Sequence, residues 1–284
     1  MTASTSDWTP SPRELQRQAL RRALARRRRL LALVITVVAL AVLVLVTITS
    51  PGWDRFQQTF LSWHHAKAAF PDVAKGFWTN IKMFVIAEPI ILAIGVLVAV
   101  TRNSVTPWLT PARLLAVAYT DVFRGLPTLL VVFVACLGIP ALNLTGVPTS
   151  LTVLGTVALV LCYGAYVAEV IRSGIDSIHP SQIASAEALA LSRGQTTRYV
   201  VLPQAIRRVG PPLLNDFVSL QKDTSLVASV GVAETLLAAS DYGNYNFNYT
   251  PLLVSGLFFL ALTIPLARLT DWLGHRALVR ERGR

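Results

Sequence analysis

Residues Ser181 to Pro203 read SQIASAEALALSRGQTTRYVVLP, the only long segment between strongly apolar runs that is helical, polar and small-sided. It falls where a membrane protein has a loop. Pro180 and Ser181 predict the start of a helix running to about Leu191. Ser192-Arg193-Gly194-Gln195 then has the Ser-x-x-Gln spacing of a capping box, in which each side chain satisfies the other residue's backbone N–H. Two short helices joined by a tight corner are therefore expected. The first presents Ala184, Ser185, Ala186, Ala188 and Ala190, side chains short enough for close approach by another protein's surface. Leu202-Pro203 is expected to close the unit where the next membrane element begins.

The composition around this loop is that of a multi-span membrane protein. Of 284 residues, 53% are hydrophobic and only 14% charged, outside the usual range of soluble domains. The net charge of +11 resides in arginines at the two ends and between the apolar runs, not along one soluble face. That distribution points to membrane topology and away from nucleic acid. Cys136 and Cys162 lie inside apolar runs as small hydrophobes, so neither a disulfide nor a metal site is expected. The paired His64 and His65 read as a solvated loop pair, with weak metal binding as the alternative.

Six spans follow from runs of about 20 apolar residues. Met1 to Arg29 is an arginine-rich tail with helical spacing at Arg13, Arg17 and Arg21; it either lies along anionic lipid or serves as a cytoplasmic retention signal. Leu30 to Thr49 is the first span, too long and without the small-x-small site of a cleaved signal. Residues 50–75 form an external connection with interfacial aromatics. Residues 76–268 hold five further spans: Phe77 to Val100, the run from Leu114 to Pro140, Leu151 to Ile171, Val209 to Leu237, which is one span or a broken pair of short helices, and Pro251 to Leu266. Residues 173–208 are the inner loop containing the opening stretch, and 269–284 a basic tail. Both termini are then cytoplasmic, with every arginine-rich segment on one side.

Polar groups inside or beside the spans are the candidates for a substrate path: Glu88, Asp121, Arg124, Glu169, Lys222 and Asp223. Glu88 precedes Pro89 deep in apolar sequence. A carboxylate there costs several kcal/mol unless paired, protonated or facing a wet cavity, and the proline is expected to kink or open the helix. Asp121 and Arg124, three residues apart, can pair on one helical face. Gly125-Leu126-Pro127 should bend the chain just after them. Glu169 with Arg172 reads first as an interfacial anchor. Lys222 and Asp223 are too polar for lipid, and Pro211-Pro212 is expected to open the element that carries them.

The spacing of Ala184-Ser185-Ala186, then Ala190, then Val200-Val201-Leu202-Pro203 resembles the E-A-A-x3-G-x9-I-x-L-P loop of ABC importer permeases, the part that docks into a cleft of the ATPase subunit. Three further stretches are similar to the polar amino acid uptake branch: YTDVFRGLP (Tyr119 to Pro127), YGAYVAEVIRSGI (Tyr163 to Ile175) and FVSLQKDTSL (Phe217 to Leu226). The resemblance covers about Gly76 to Arg268 and leaves Leu30 to Thr49 as an addition to a five-helix core. Two signature residues differ: the family's Glu is Ala184 here and its Gly is Ala190. If position 190 is left-handed, alanine there costs about 1 kcal/mol, and Gly194 is the alternative site for the turn. Glu187, three residues after Ala184 on the same face, is a candidate for the missing carboxylate.

The resemblance implies an all-helical type I ABC importer subunit, multi-pass in a bacterial plasma membrane. It implies partners too: ATPase subunits, a second permease that is the same or a homologous chain, an extracytoplasmic solute-binding protein and an amino acid cargo. ATP is then used by the partner ATPase and no cofactor is bound by this chain, which carries no Gly-x4-Gly-Lys-Ser/Thr phosphate loop. The coupling set is Ala184, Ser185, Ala186, Glu187, Ala190, Gly194, Leu202 and Pro203. A zwitterionic amino acid needs a carboxylate for its ammonium, assigned to Glu88, and a cation for its carboxyl, assigned to Arg124 or Lys222. The rival readings are a proton-coupled secondary transporter with Glu88 as relay and a non-transporting scaffold or sensor whose working part is the arginine tail. No nucleophile with a base or metal cluster emerges to suggest an enzyme.

Overall fold

The computed structural model describes residues 11–104 and 106–282, so the part of the arginine-rich tail before Ser11 lies outside the described residues. The chain divides into two units, residues 1–58 and 59–284. In the first, α1 (Pro12–Ile48) joins the arginine series and the apolar run in one 37-residue helix. Pro12 stands in its first turn and the Ser11 hydroxyl accepts a hydrogen bond from the Glu14 N–H. None of its residues is buried, as suits a helix whose solvent is lipid. α2 (Trp53–Phe60) is a short amphipathic turn.

The second unit is built on two long helices. α3 (Trp63–Asn103) runs 41 residues with Pro71 and Pro89 inside it, so Pro89 does not open the helix at Glu88. Its buried residues Met83, Ala87, Ile91, Gly95 and Ala99 recur every four positions, one stripe of a helix. That stripe packs on α7 (Leu151–Asp176). In lipid there is little hydrophobic force between helices, so close packing of small residues must hold them. Gly95 shows how close: a Cβ there would stand 2.3 Å from the Val167 Cγ1.

Between these two, α4 (Thr110–Gly125) and α5 (Thr128–Phe133) are bent by 105° at Gly125-Leu126-Pro127, where the sequence predicts a break. α5 continues through a π turn, 134–138, into the three-residue α6 (Ile139–Ala141). After α7 come α8 (Pro180–Ala188) and α9 (Arg193–Thr196), which are the two loop helices, then a π turn and α10 (Leu202–Asp223). Leu202-Pro203 thus mark the end of the loop unit and the start of α10, as expected, whereas Pro211-Pro212 sit inside that helix without opening it. The break falls later: a 3-10 segment, Thr224–Val230, ends at Gly231, whose φ of +87° suits a residue without a Cβ. α11 (Thr235–Asn246) and α12 (Thr250–Arg282) complete the unit.

Four stretches of the described residues are long and apolar enough to cross a membrane, within 12–48, 53–103, 151–176 and 250–272, and the bent pair α4–α5 makes a fifth. The sixth expected span, 209–237, is not among them. α10 carries Asn215, Asp216, Gln221, Lys222 and Asp223 beside its apolar residues, so it reads as amphipathic instead of lipid-soluble.

Candidate functional site

The polar face of α10 is the start of the site. Asp216, Ser219 and Asp223 stand three and four residues apart and therefore share one face. Together with Tyr163 and Tyr166 of α7 and Thr128 at the start of α5 they line a cavity of about 230 Å³. The Tyr163 hydroxyl donates to the Asp223 Oδ2 at 2.8 Å. The Asp216 Oδ2 is buried and has no hydrogen-bond partner among the described residues. Glu88 of α3, half-buried, lies within electrostatic reach of Asp216. Two carboxylates thus line one small space with a third in electrostatic reach, and one buried carboxylate oxygen lacks a donor among the described residues. Such an arrangement favours a ligand that brings positive charge and N–H groups.

Of the sequence-predicted path residues, Asp223 lines this cleft and Glu88 lies within electrostatic reach of its Asp216. Lys222 is exposed on the adjoining face of α10 and is not part of the lining. Asp121 is exposed and forms no ion pair among the described residues, so its expected pairing with Arg124 does not occur. Arg124 turns instead to Glu169.

Glu169 is the hub of a separate cluster one to two turns along α7. Its Oε2 is 2.8 Å from Arg102 Nη1 of α3 and 3.6 Å from Arg124 Nη1 of α4, and its Oε1 is 2.5 Å from Arg172 Nη2. Arg172 also bonds Asp176, and Arg102 Nη1 donates to the Thr120 hydroxyl at 2.9 Å. Three helices are pinned at one point. Glu169 and Arg124 lie outside the lining of the cleft, and Glu169 is already held by three arginines. Their long-range pairing was invisible because the partners are 67 and 45 residues apart in the chain.

Sequence reasoning missed Asp216, Tyr163 and a buried network above the cleft. The Glu234 carboxylate, fully buried, caps α11 by accepting from the Leu237 N–H at 2.7 Å and also accepts from Asn80 Nδ2 at 2.9 Å. The same Asn80 Nδ2 reaches the Thr224 hydroxyl at 3.1 Å, and its Oδ1 accepts from the Thr235 N–H. Asn80 thus ties α3 to α11 and to the residue next to Asp223. For Asp216 a signal did exist, the spacing that puts Asp216, Ser219 and Asp223 on one face of an amphipathic helix.

The loop is a surface feature made of local rules. α8 starts at Pro180 with the His179 ring capping the Ser181 N–H, and ends at Ala188. The Leu191 N–H then bonds the Ala186 carbonyl and the Ala190 N–H the Glu187 carbonyl, the paired bonds of a Schellman stop. Ala190 has a φ of +57°, so the left-handed turn is at 190. Gly194 does not take it; that residue lies inside α9. The capping box forms as expected: the Ser192 N–H donates to the Gln195 Oε1 at 2.8 Å and the Gln195 N–H to the Ser192 Oγ at 3.4 Å. Ala184, Ser185, Glu187, Leu202 and Pro203 are exposed, whereas Ala186 is buried and serves the loop's own packing. Arg208 of α10 donates to the Ser177 hydroxyl at 2.9 Å and so fastens the loop's two ends together.

Known proteins fit this geometry. The family described as binding-protein-dependent transport system inner membrane component matches residues 91–279. An arginine transport system permease protein of Bacillus subtilis (strain 168), ArtQ, is 30% identical over 197 residues, covering 69% of this chain and 88% of the relative. A probable glutamine ABC transporter permease of the same organism, GlnM, is 34% identical over 204 residues, covering 71% and 91%. Among solved structures, a crystal structure of an amino acid ABC transporter with histidines superposes with a TM-score of 0.66 at 27% identity, covering 73% of this chain and 94% of its own.

Proposed function

The chain belongs to the family of inner membrane components of binding-protein-dependent transport systems and is the permease subunit of an amino acid ABC importer; from that premise we propose that its cargo carries a cationic side chain and passes the Asp216–Asp223 cleft. The observation that carries the proposal is the buried Asp216 Oδ2 without a hydrogen-bond partner. A guanidinium or ammonium supplies the missing donors as a charge-assisted bond, worth about 1.5–3 kcal/mol. Glu88 and Asp223 add negative charge and the exposed Lys222 offsets part of it, so the cleft as a whole favours a net positive cargo. A neutral amino acid brings only its α-ammonium, which its own carboxylate offsets, and would leave the half-buried carboxylates undercompensated.

ATP-driven motion reaches this cleft through the loop. α8 presents its exposed Ala184, Ser185 and Glu187 to a separate ATPase subunit, and the helical path from α9 through α10 leads from the loop to Asp216 and Asp223. A displacement of α8 is thereby transmitted along a stiff element to the acidic face. Glu187 supplies the carboxylate that Ala184 lacks. Both termini lie on the ATPase side, and an extracytoplasmic solute-binding protein delivers cargo to the opposite face. A second permease subunit completes the path. The ATP-driven mechanism leaves Glu88 no role as a proton relay and the arginine tail none as a sensor.

The test is uptake into proteoliposomes holding the assembled transporter, its ATPase and its binding protein. Arginine or lysine should compete strongly for the cleft and glutamine weakly, and the preference should vanish in Asp216→Asn. Preference for a neutral amino acid in the wild type would overturn the cargo assignment. In the same vesicles Glu187→Ala should uncouple ATP hydrolysis from uptake, and unchanged coupling would sink the role given to Glu187.

A further inference from the structure

Neither the cleft nor the loop uses the groove between α3 and α7 at the end of the bundle opposite the Glu169 cluster. The groove has a volume of about 580 Å³; Lys82, Ile86 and Ile90 line it from α3 and Val153, Val157 and Val160 from α7. Ile86, Ile90, Val153 and Val157 are exposed, so the groove opens sideways out of the unit. Lys82 is the only charged residue of its lining. It has no carboxylate within ion-pair distance among the described residues, and its ammonium lies 5.9 Å from the centre of the Trp78 ring.

Depth supplies the second argument. Lys82 and Arg102 are separated by about 30 Å of continuous helix at 1.5 Å per residue, the thickness of a hydrocarbon core. Arg102 is fixed in the cluster at one boundary, so Lys82 stands at the other with Trp78 just beyond it, the level at which Lys snorkels and Trp sits. The groove then runs inward from the headgroup level by about 12 Å, the helix length from Lys82 to Ile90. Its walls are mostly aliphatic, with Thr79, Thr152 and Thr156 among them, and its mouth is cationic.

We propose that this groove is a binding site for a phospholipid with an anionic headgroup, one acyl chain lying along Ile86, Ile90, Val153 and Val157 and the headgroup phosphate at Lys82. A second copy of the chain fits less well. A two-fold contact centred here would bring two Lys82 ammoniums into one desolvated seam with no carboxylate on either wall. Lipid instead gives the unpaired ammonium a counter-charge and the aliphatic walls a chain of matching polarity.

The experiment places the full transporter in nanodiscs of phosphatidylcholine alone or phosphatidylcholine mixed with phosphatidylglycerol, and reads lipid retention by native mass spectrometry. Wild type and Lys82→Arg should retain phosphatidylglycerol over phosphatidylcholine. Lys82→Gln should lose about fivefold of that preference, the loss expected for one basic residue at a membrane surface. Ile86→Trp, which fills the groove and leaves the charge, should lower retention of both lipids. Retention unchanged in Lys82→Gln and in Ile86→Trp would overturn the site. So would a disulfide formed between two copies of a Val157→Cys chain, because protein would then cover the groove.

Discussion

Glu169 and Asp216 are both carboxylates on membrane-level helices of the same unit, and their surroundings are opposite. Glu169 collects Arg102, Arg124 and Arg172 from three helices within 3.6 Å. Asp216 has a buried oxygen with no partner, and the charged groups nearest to it in kind are further carboxylates, Glu88 and Asp223. Burial of charge costs free energy in both places. At Glu169 the protein itself offsets that cost and gains a joint; at Asp216 no group among the described residues offsets it, and that difference is what the proposed cargo site rests on.

The comparison can be broken most decisively at the cleft. Asp216→Asn should lower kcat/KM for a cationic amino acid by about tenfold to a hundredfold, the worth of one charge-assisted bond, with assembly and thermal midpoint unchanged. A matching loss of stability would make Asp216 structural after all. Glu169→Gln should do the reverse: three arginines lose their shared anion, unfolding becomes easier by about 1.5–3 kcal/mol, and the cargo preference of the folded fraction is retained. Thermal melts of purified protein beside uptake per folded molecule would separate the two. Tyr163→Phe should raise KM a fewfold, because Asp223 loses the hydroxyl that orients it at 2.8 Å. Arg124→Ala sharpens the other side: at 3.6 Å and with its side chain 40% exposed, it should cost less than about 1 kcal/mol and leave Glu169 held by Arg102 and Arg172.

Local rules made the loop readable. The capping box at Ser192-Gln195, the proline start of α8 and the bend at Gly125-Leu126-Pro127 each depend on residues within a few positions of one another, and each is where the sequence places it. The same rules left two sites open for the left-handed turn, Ala190 and Gly194. The paired bonds of the helix stop put it at Ala190, against the residue preference of that conformation. Pro211-Pro212 misled because a proline within an amphipathic helix can be accommodated where neighbouring helices hold the element.

Apolar run lengths and the placement of arginines on one side settled by themselves that this is a helical membrane protein, because those patterns are written at the spacing of one helix or one bilayer; the ABC importer reading came from the resemblance of its loop and three further motifs to that family. Which charged groups lie near one another was decided only in three dimensions. Arg102, Arg124 and Glu169 lie far apart in the chain yet meet at one point, and Glu88 reaches Asp216 across two helices. Charge acts through distance in space, and a linear sequence does not contain that distance.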